Sequence, residues 1–203
     1  MTTDVLIVRT GAANLASVVA AFERLGRTVK ITDNAFAVSQ AQRVVLPGVG
    51  AFPPVARRLA ESRLGETIRT RVEKDLPTLA VCLGLQLLAA GSEEGEGATG
   101  LGVLPVTASR FPDDVVVPQL GWNTVKSDSA CRMLTDGAAY FANSFKLDQR
   151  PPGWKAAWSE HGGPFIAALE RGHVLGCQFH PELSGSWGEA LLRRWLGEEV
   201  PPC

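Results

Sequence analysis

Residues 77–88, Pro77-Thr78-Leu79-Ala80-Val81-Cys82-Leu83-Gly84-Leu85-Gln86-Leu87-Leu88, form an apolar run of strand length that turns into a helix with a cysteine at the corner. Small residues two positions either side of Cys82, here Ala80 and Gly84, permit the tight strand-to-helix turn that holds a nucleophile's side chain out. The unpaired N–H groups and the dipole of a helix start favour the thiolate, which is the reactive form. Taken alone, the stretch is better explained as a core strand with a buried, inert cysteine. The rest of the chain has to decide.

On its N-terminal side, Asp4 to Val8 is an apolar run of strand length, and Leu15, Val18, Val19, Phe22 and Leu25 then recur at helical spacing until Gly26. Arg27 to Ile31 predicts a second strand, Asp33-Asn34 a turn, and Arg43 to Leu46 a third strand running into Pro47-Gly48-Val49-Gly50. Helical periodicity from Phe52 through Lys74 predicts two helices divided near Gly65. Repeated strand–helix units imply parallel strands covered on both faces. Cys82 then lies at the carboxyl end of a central strand, where open α/β sheets place their ligands.

After Gly95 the pattern changes. Leu101 to Val106, Val115 to Val117, Trp122 to Val125 and Ala139 to Phe141 are short strand candidates, and Arg150-Pro151-Pro152-Gly153 is a connector. Trp154 to Trp158, Phe165 to Leu169 and Val174 to Phe179 add further strands, and Trp187, Leu191 and Trp195 mark one face of a closing helix. The expected fold is α/β, with a central mostly parallel sheet flanked by helices and an antiparallel extension, in a single domain spanning residues 1–203.

Composition narrows the partners. The chain has 203 residues, 45% of them hydrophobic, and a net charge of −1, with basic residues scattered apart from Arg57-Arg58 and Arg193-Arg194. This leaves no electrostatic footprint for nucleic acid. Cys82, Cys131, Cys177 and Cys203 lie far apart without CxxC spacing, and the chain begins without a basic-then-apolar leader, so a reduced, cytoplasmic protein is expected. No apolar run reaches membrane-spanning length.

His180-Pro181-Glu182 ends the apolar run from Val174. In extended backbone, residues two apart point to one side, so Glu182 can orient the His180 ring while its other nitrogen faces a nucleophile. A strand-end histidine beside a proline turn, with a solvated acid, explains the triplet at least as well by itself. His161 precedes Gly162-Gly163 and His173 follows Gly172, so both are expected at surface turns. No two Cys and His residues have zinc-ligand spacing, so neither a metal nor a cofactor is expected. Gly48-Val49-Gly50, between a strand and a helix, can turn backbone N–H groups toward an oxyanion, although a simple turn is the commoner use of such glycines.

Taken together, these stretches resemble the class I (triad-type) glutamine amidotransferases. The residues that carry the resemblance are Gly11 to Leu15, Leu46 to Phe52, Cys82 to Leu88, Ser92 to Gly95, Pro118 to Asn123, Tyr140 to Phe145 and Gln178 to Glu182, in the family's order over nearly the whole chain. The resemblance implies Cys82 as nucleophile toward the side-chain amide of glutamine, His180 as proton carrier and Glu182 as its orienting group. It also implies Gly48, Val49 and Gly50 as the oxyanion strand, and Gln86, Glu94, Asn143, Ser144 and Phe145 as holders of glutamine. Within the family, the likeness is greatest to glutaminase subunits of histidine biosynthesis, which pass ammonia to a (β/α)8 cyclase subunit as a heterodimer. A stand-alone cysteine hydrolase on the same fold is the alternative. Arg9, Ala80, Asn143 and Leu183 depart from the commoner family pattern, which has Asp, Gly, His and Lys there.

Overall fold

Val5–Val8 forms strand β1, and its alternating side chains feed two separate cores: Val5 and Ile7 pack on one face of the sheet, Leu6 and Val8 on the other. The structure is a computed structural model that describes residues 4–11 and 14–200. Ala12 and Ala13 of the Gly11 to Leu15 motif, and Cys203, lie outside the described residues. Helix α1 (Leu15–Arg24) buries Val18 and Phe22 in the first core and is capped by Asn14, whose side chain accepts from the Ser17 N–H.

The following elements are β2 (Val29–Thr32), α2 (Ala35–Gln40), β3 (Val44–Leu46), α3 (Phe52–Glu61), α4 (Arg63–Glu73), β4 (Thr78–Val81) and α5 (Leu83–Leu87). Strands β5 (Ala89–Ser92), β6 (Leu104–Arg110), β7 (Gln119–Ser127), β8 (Gly137–Asn143) and β9 (Phe145–Lys146) come next. Strands β10 (Lys155–Glu160), β11 (Pro164–Arg171) and β12 (Val174–Cys177) precede a 3-10 turn (Pro181–Leu183) and α6 (Gly185–Leu196).

The main sheet has nine strands in the order β2-β1-β3-β4-β12-β11-β10-β7-β8. Every pair from β2 to β12 is parallel and every pair from β12 to β8 is antiparallel. The expected parallel half and antiparallel extension are therefore one continuous sheet. Helices α1 and α6 cover one face; α3 and α4 cover the other. Strands β5, β6 and β9 make a small second sheet.

Three local expectations are corrected. Helix α2 was not anticipated, because six residues with Val38 as the buried one carry little periodicity. The break between α3 and α4 falls at Ser62, not at Gly65. Gly65 sits inside α4, where a Cβ would come within 2.7 Å of the Leu59 carbonyl oxygen, so it permits close packing of α4 on α3. Val115 to Val117 is not a strand: Pro112 and Pro118 remove N–H donors on both sides and Asp113-Asp114 turn the chain. The helix after Cys82 is one short turn, after which the chain re-enters a strand.

The central order β3-β4-β12 matters most for function. Three adjacent parallel strands end at Leu46, Val81 and Cys177, and so deliver Pro47 to Gly50, Cys82, and Gln178 to His180 to one edge of the sheet.

Candidate active site

Cys82 occupies a backbone conformation that L-residues rarely adopt, with φ +54° and ψ −112°. Such strain costs on the order of 1–3 kcal/mol and persists only where the surroundings over-determine it. Here they do. The Cys82 N–H donates to the Cys177 carbonyl at 2.7 Å, its own carbonyl accepts from Leu85 N–H at 3.0 Å, and Leu83 N–H donates to the Gly48 carbonyl at 3.3 Å. Gly84 makes the corner possible by close approach: a Cβ there would lie 2.0 Å from the Leu46 carbonyl oxygen.

His180 stands across from the cysteine, 5% exposed, with its N–H donating to the Tyr140 carbonyl at 2.9 Å. Its Nδ1 is 2.8 Å from Glu182 Oε1, and both side chains are almost wholly buried. The contact does not arise from extended backbone as expected. His180 itself is extended, but Pro181 starts a 3-10 turn, and this turn folds Glu182 back onto the ring. The Ser184 hydroxyl fastens the turn by donating to the His180 carbonyl at 2.6 Å and accepting from Tyr140 N–H at 3.0 Å.

Burial works against a charged imidazole. Hydrogen bonds and negative charge from Cys82 and Glu182 outweigh it, and hold the His180 pKa up at about 10. The Cys177 thiol is raised well above its ordinary value by burial and then by Glu182, and Cys131 is pushed up to about 11, chiefly by burial. Both are unreactive as nucleophiles at neutral pH.

A cavity of about 230 Å³ opens over the sulfur. Cys82, His180, Val49, Gly50, Gln86, Glu94, Asn143, Ser144 and Phe145 all line it. Gly48 does not; it lies beneath, packed against Leu83 and Gly84 of α5. Glu182 lies behind the His180 ring. Gly50 has φ +93°, a turn conformation suited to glycine, in the segment read as an oxyanion strand.

Glu94 lines the cavity, but its Oε2 accepts from Phe52 N–H at 2.7 Å and so caps α3, which has no side-chain cap of its own at Ala51. The Gln86 amide nitrogen donates to the Phe145 carbonyl and to Gln178 Oε1, each at 2.9 Å. Asn143 Nδ2 donates to the same Phe145 carbonyl at 3.0 Å.

Gln178 belongs to one of the stretches that carry the resemblance, but the sequence assigns it no role. It is fully buried, and its amide nitrogen lies 3.6 Å from Cys82 Sγ. The available signal was a polar residue inside an otherwise apolar strand end. His161 and His173 do lie in turns away from the site, beside Val116 and Asp75. Among the described residues no group of three or more His, Cys, Asp or Glu side chains is placed to hold a metal ion, and no helix is long and apolar enough to cross a membrane.

With this geometry in hand, comparisons place the chain among known proteins. The family model "Glutamine amidotransferase class-I" matches residues 6–197. The imidazole glycerol phosphate synthase subunit HisH of Idiomarina loihiensis is 41% identical over 95% of this chain and 97% of its own. The HisH subunit of Moorella thermoacetica is 38% identical over 97% and 95%. The chloroplastic imidazole glycerol phosphate synthase hisHF of Arabidopsis thaliana is 35% identical over 94% of this chain but only 33% of its own length. Among solved structures, a glutamine amidotransferase crystal structure superposes with a TM-score of 0.75 at 20% identity, covering 95% of this chain and 97% of that one.

Proposed function

Because the chain belongs to the class I glutamine amidotransferase family, we propose that it is the glutaminase subunit of an imidazole glycerol phosphate synthase, with Cys82 as nucleophile, His180 as acid and base, and Glu182 as orienting group. The observation that carries this reading is the convergence of Cys82 and His180 on one cavity with His180 held by a buried carboxylate.

Cys82 Sγ attacks the side-chain carbonyl carbon of glutamine, and the C=O electrons move onto oxygen. Val49 and Gly50 line the cavity where that oxyanion forms, and a backbone N–H donor turned to it from this segment is typically worth about 3 kcal/mol. His180, kept cationic by its neighbours, hands its proton to the departing nitrogen, which leaves as ammonia. The thioester is then hydrolysed by water, with His180 taking the water's proton. Asn143, Ser144, Phe145 and the free side of Gln86 surround the space for the amino-acid end of glutamine. With one oxygen committed to α3, Glu94 contributes to that end through its remaining oxygen.

The ammonia is consumed on a partner, a cyclase subunit. Leu120 and Trp122 point outward together from β7 at 69% and 60% exposed, and Leu183 on the catalytic 3-10 turn is 41% exposed. Gly185, at the start of α6, and Tyr140 both adjoin the Trp122 ring, so this apolar face borders the catalytic turn. A partner seated there would keep ammonia from water and from protonation. The fused length of the Arabidopsis relative supports the same division into two parts.

Cys82→Ala is expected to abolish glutamine-dependent synthesis by the assembled enzyme while synthesis from added ammonia survives. Retention of the glutamine-dependent rate would refute Cys82 as the nucleophile. Full glutamine turnover by the isolated chain, unchanged by a cyclase subunit, would favour a stand-alone hydrolase.

A further inference from the structure

We propose that Gln178 is a positioning residue that holds the Cys82 sulfur in its anionic form, and that Gln86 sets the orientation in which it does so. The inference rests on the reading of Cys82 as the nucleophile.

The orientation follows from the hydrogen-bond inventory. A carbonyl oxygen can only accept, so the side chain that Gln86 presents to the Phe145 carbonyl must be its amide nitrogen. That nitrogen also meets Gln178, which must therefore present Oε1. Only then does Gln178 Nε2 turn toward Cys82 Sγ, at 3.6 Å. Two amides that could each be drawn either way round are thus locked by one backbone carbonyl.

The sulfur has two kinds of neighbour. The Ala142 carbonyl, 3.9 Å away, can take an S–H proton and so suits the neutral thiol. The Gln178 N–H can only donate, and so suits the thiolate. Among the described residues, Cys82 Sγ is the acceptor that this buried N–H meets. An apolar side chain would fill the same space without the cost of burying an amide, which runs to about 1–3 kcal/mol where a donor is left unpaired. Gln178 is fixed from behind as well, its backbone N–H donating to the Ala167 carbonyl of β11 at 2.8 Å. It cannot follow the sulfur if the sulfur moves.

The charged groups around Cys82 are few. His180 comes from the segment after β12, with Glu182 behind it, and Glu94 faces the cavity from the turn after β5. Helix α5, the Pro47 to Gly50 segment, and Ala142 to Phe145 bring none. Removing the Gln178 donor therefore changes the sulfur's environment without changing any charge near it.

The test is the pH profile of Cys82 alkylation by iodoacetamide, followed on the Cys82 peptide in the full chain. Gln178→Met keeps the length and removes both the amide N–H donor and its carbonyl acceptor. A hydrogen bond to a charged group is worth enough to move the profile upward by about one to two pH units when it is lost. On the rising limb of the parent's profile the rate then falls roughly ten- to a hundredfold, while the limiting rate at high pH stays as in the parent. Gln86→Met should move the profile in the same direction, and the double variant should move it no further than Gln178→Met alone. Leu175→Ala, which loosens the same strand, should lower the melting temperature and leave the profile in place.

A Gln178→Met profile that overlays the parent overturns the proposal, as does an equal displacement in Leu175→Ala. Alkylation needs neither glutamine nor a partner. A chain that shows the Gln178 effect but fails to hydrolyse glutamine with its partner would sink the proposed function and not this one.

Discussion

Replacing Gly84 by alanine probes the corner on which the site depends. The new methyl carbon would sit 2.0 Å from the Leu46 carbonyl oxygen, 3.1 Å from its carbon and 3.4 Å from Leu46 Cγ. A tolerable C···O contact begins near 3.3 Å, so one side must retreat by about 1.3 Å. Neither side is free to do so. Leu46 is paired with Ala80 in β3 and fully buried, and α5 is tied to Cys82 through the Leu85 and Gln86 N–H groups. Overpacking of this kind costs about 1–3 kcal/mol, or roughly 3–10 °C in melting temperature for a chain of this size. The displacement passes directly into Pro47 to Gly50 on one side and Cys82 on the other. A shift of about 1 Å between reacting groups costs on the order of a hundredfold in rate. The assay is partner-stimulated glutaminase rate together with thermal melting. Gly26→Ala serves as the control, since it has φ +73° and nothing within 4 Å, so it bears only backbone strain, before β2 at the amino-terminal end of the parallel strands and away from the site. A Gly84→Ala protein that melts within a degree of the parent and keeps its rate would refute the reasoning.

Two further outcomes are expected. His180 has its pKa raised from 6.5 to about 10 in the fold, so its charge contributes stability that is fully present below about pH 6.5 and is lost as pH rises through 10. The urea-midpoint difference between the parent and His180→Gln should therefore shrink across that window; a constant difference would contradict it. Trp122→Ala should weaken binding of a cyclase subunit by at least about tenfold in calorimetric titration, as the loss of an exposed aromatic anchor does. It should leave the melting temperature almost unchanged, and unaltered affinity would remove this face as the docking surface.

Much of the fold was legible because its signals are local. Val5 to Val8, Val44 to Leu46 and Leu79 to Val81 are uninterrupted apolar runs, as strands buried on both faces must be, and Val18 and Phe22 repeat at the helical period. Where burial is slight, the pattern fails, as in α2. Where β-branched residues fall between prolines, it misleads, as at Val115 to Val117. The proposed trio of Cys82, His180 and Glu182 came from motif and residue type, but the geometry that joins them was not legible there. Glu182 reaches His180 through a 3-10 turn that the spacing alone does not distinguish from a strand. Glu94 was read as a ligand contact, yet one of its oxygens caps a helix.

Taken by itself, the Cys82 stretch is more simply a core strand, and what the sequence determined is the set of parts: a cysteine with a small residue two positions to each side, a histidine with an acid two positions on, and glycines after a strand. Tertiary structure decided that they meet. Strand order β3-β4-β12 puts three carboxyl ends side by side, and the turn after β12 carries Gln178 to within 3.6 Å of a sulfur 96 positions away in the chain. The physical reason is range. Periodicity and propensity act over a few residues, whereas the pairing of β12 with β4, and the burial that makes it worthwhile, exist only once the sheet has closed around both.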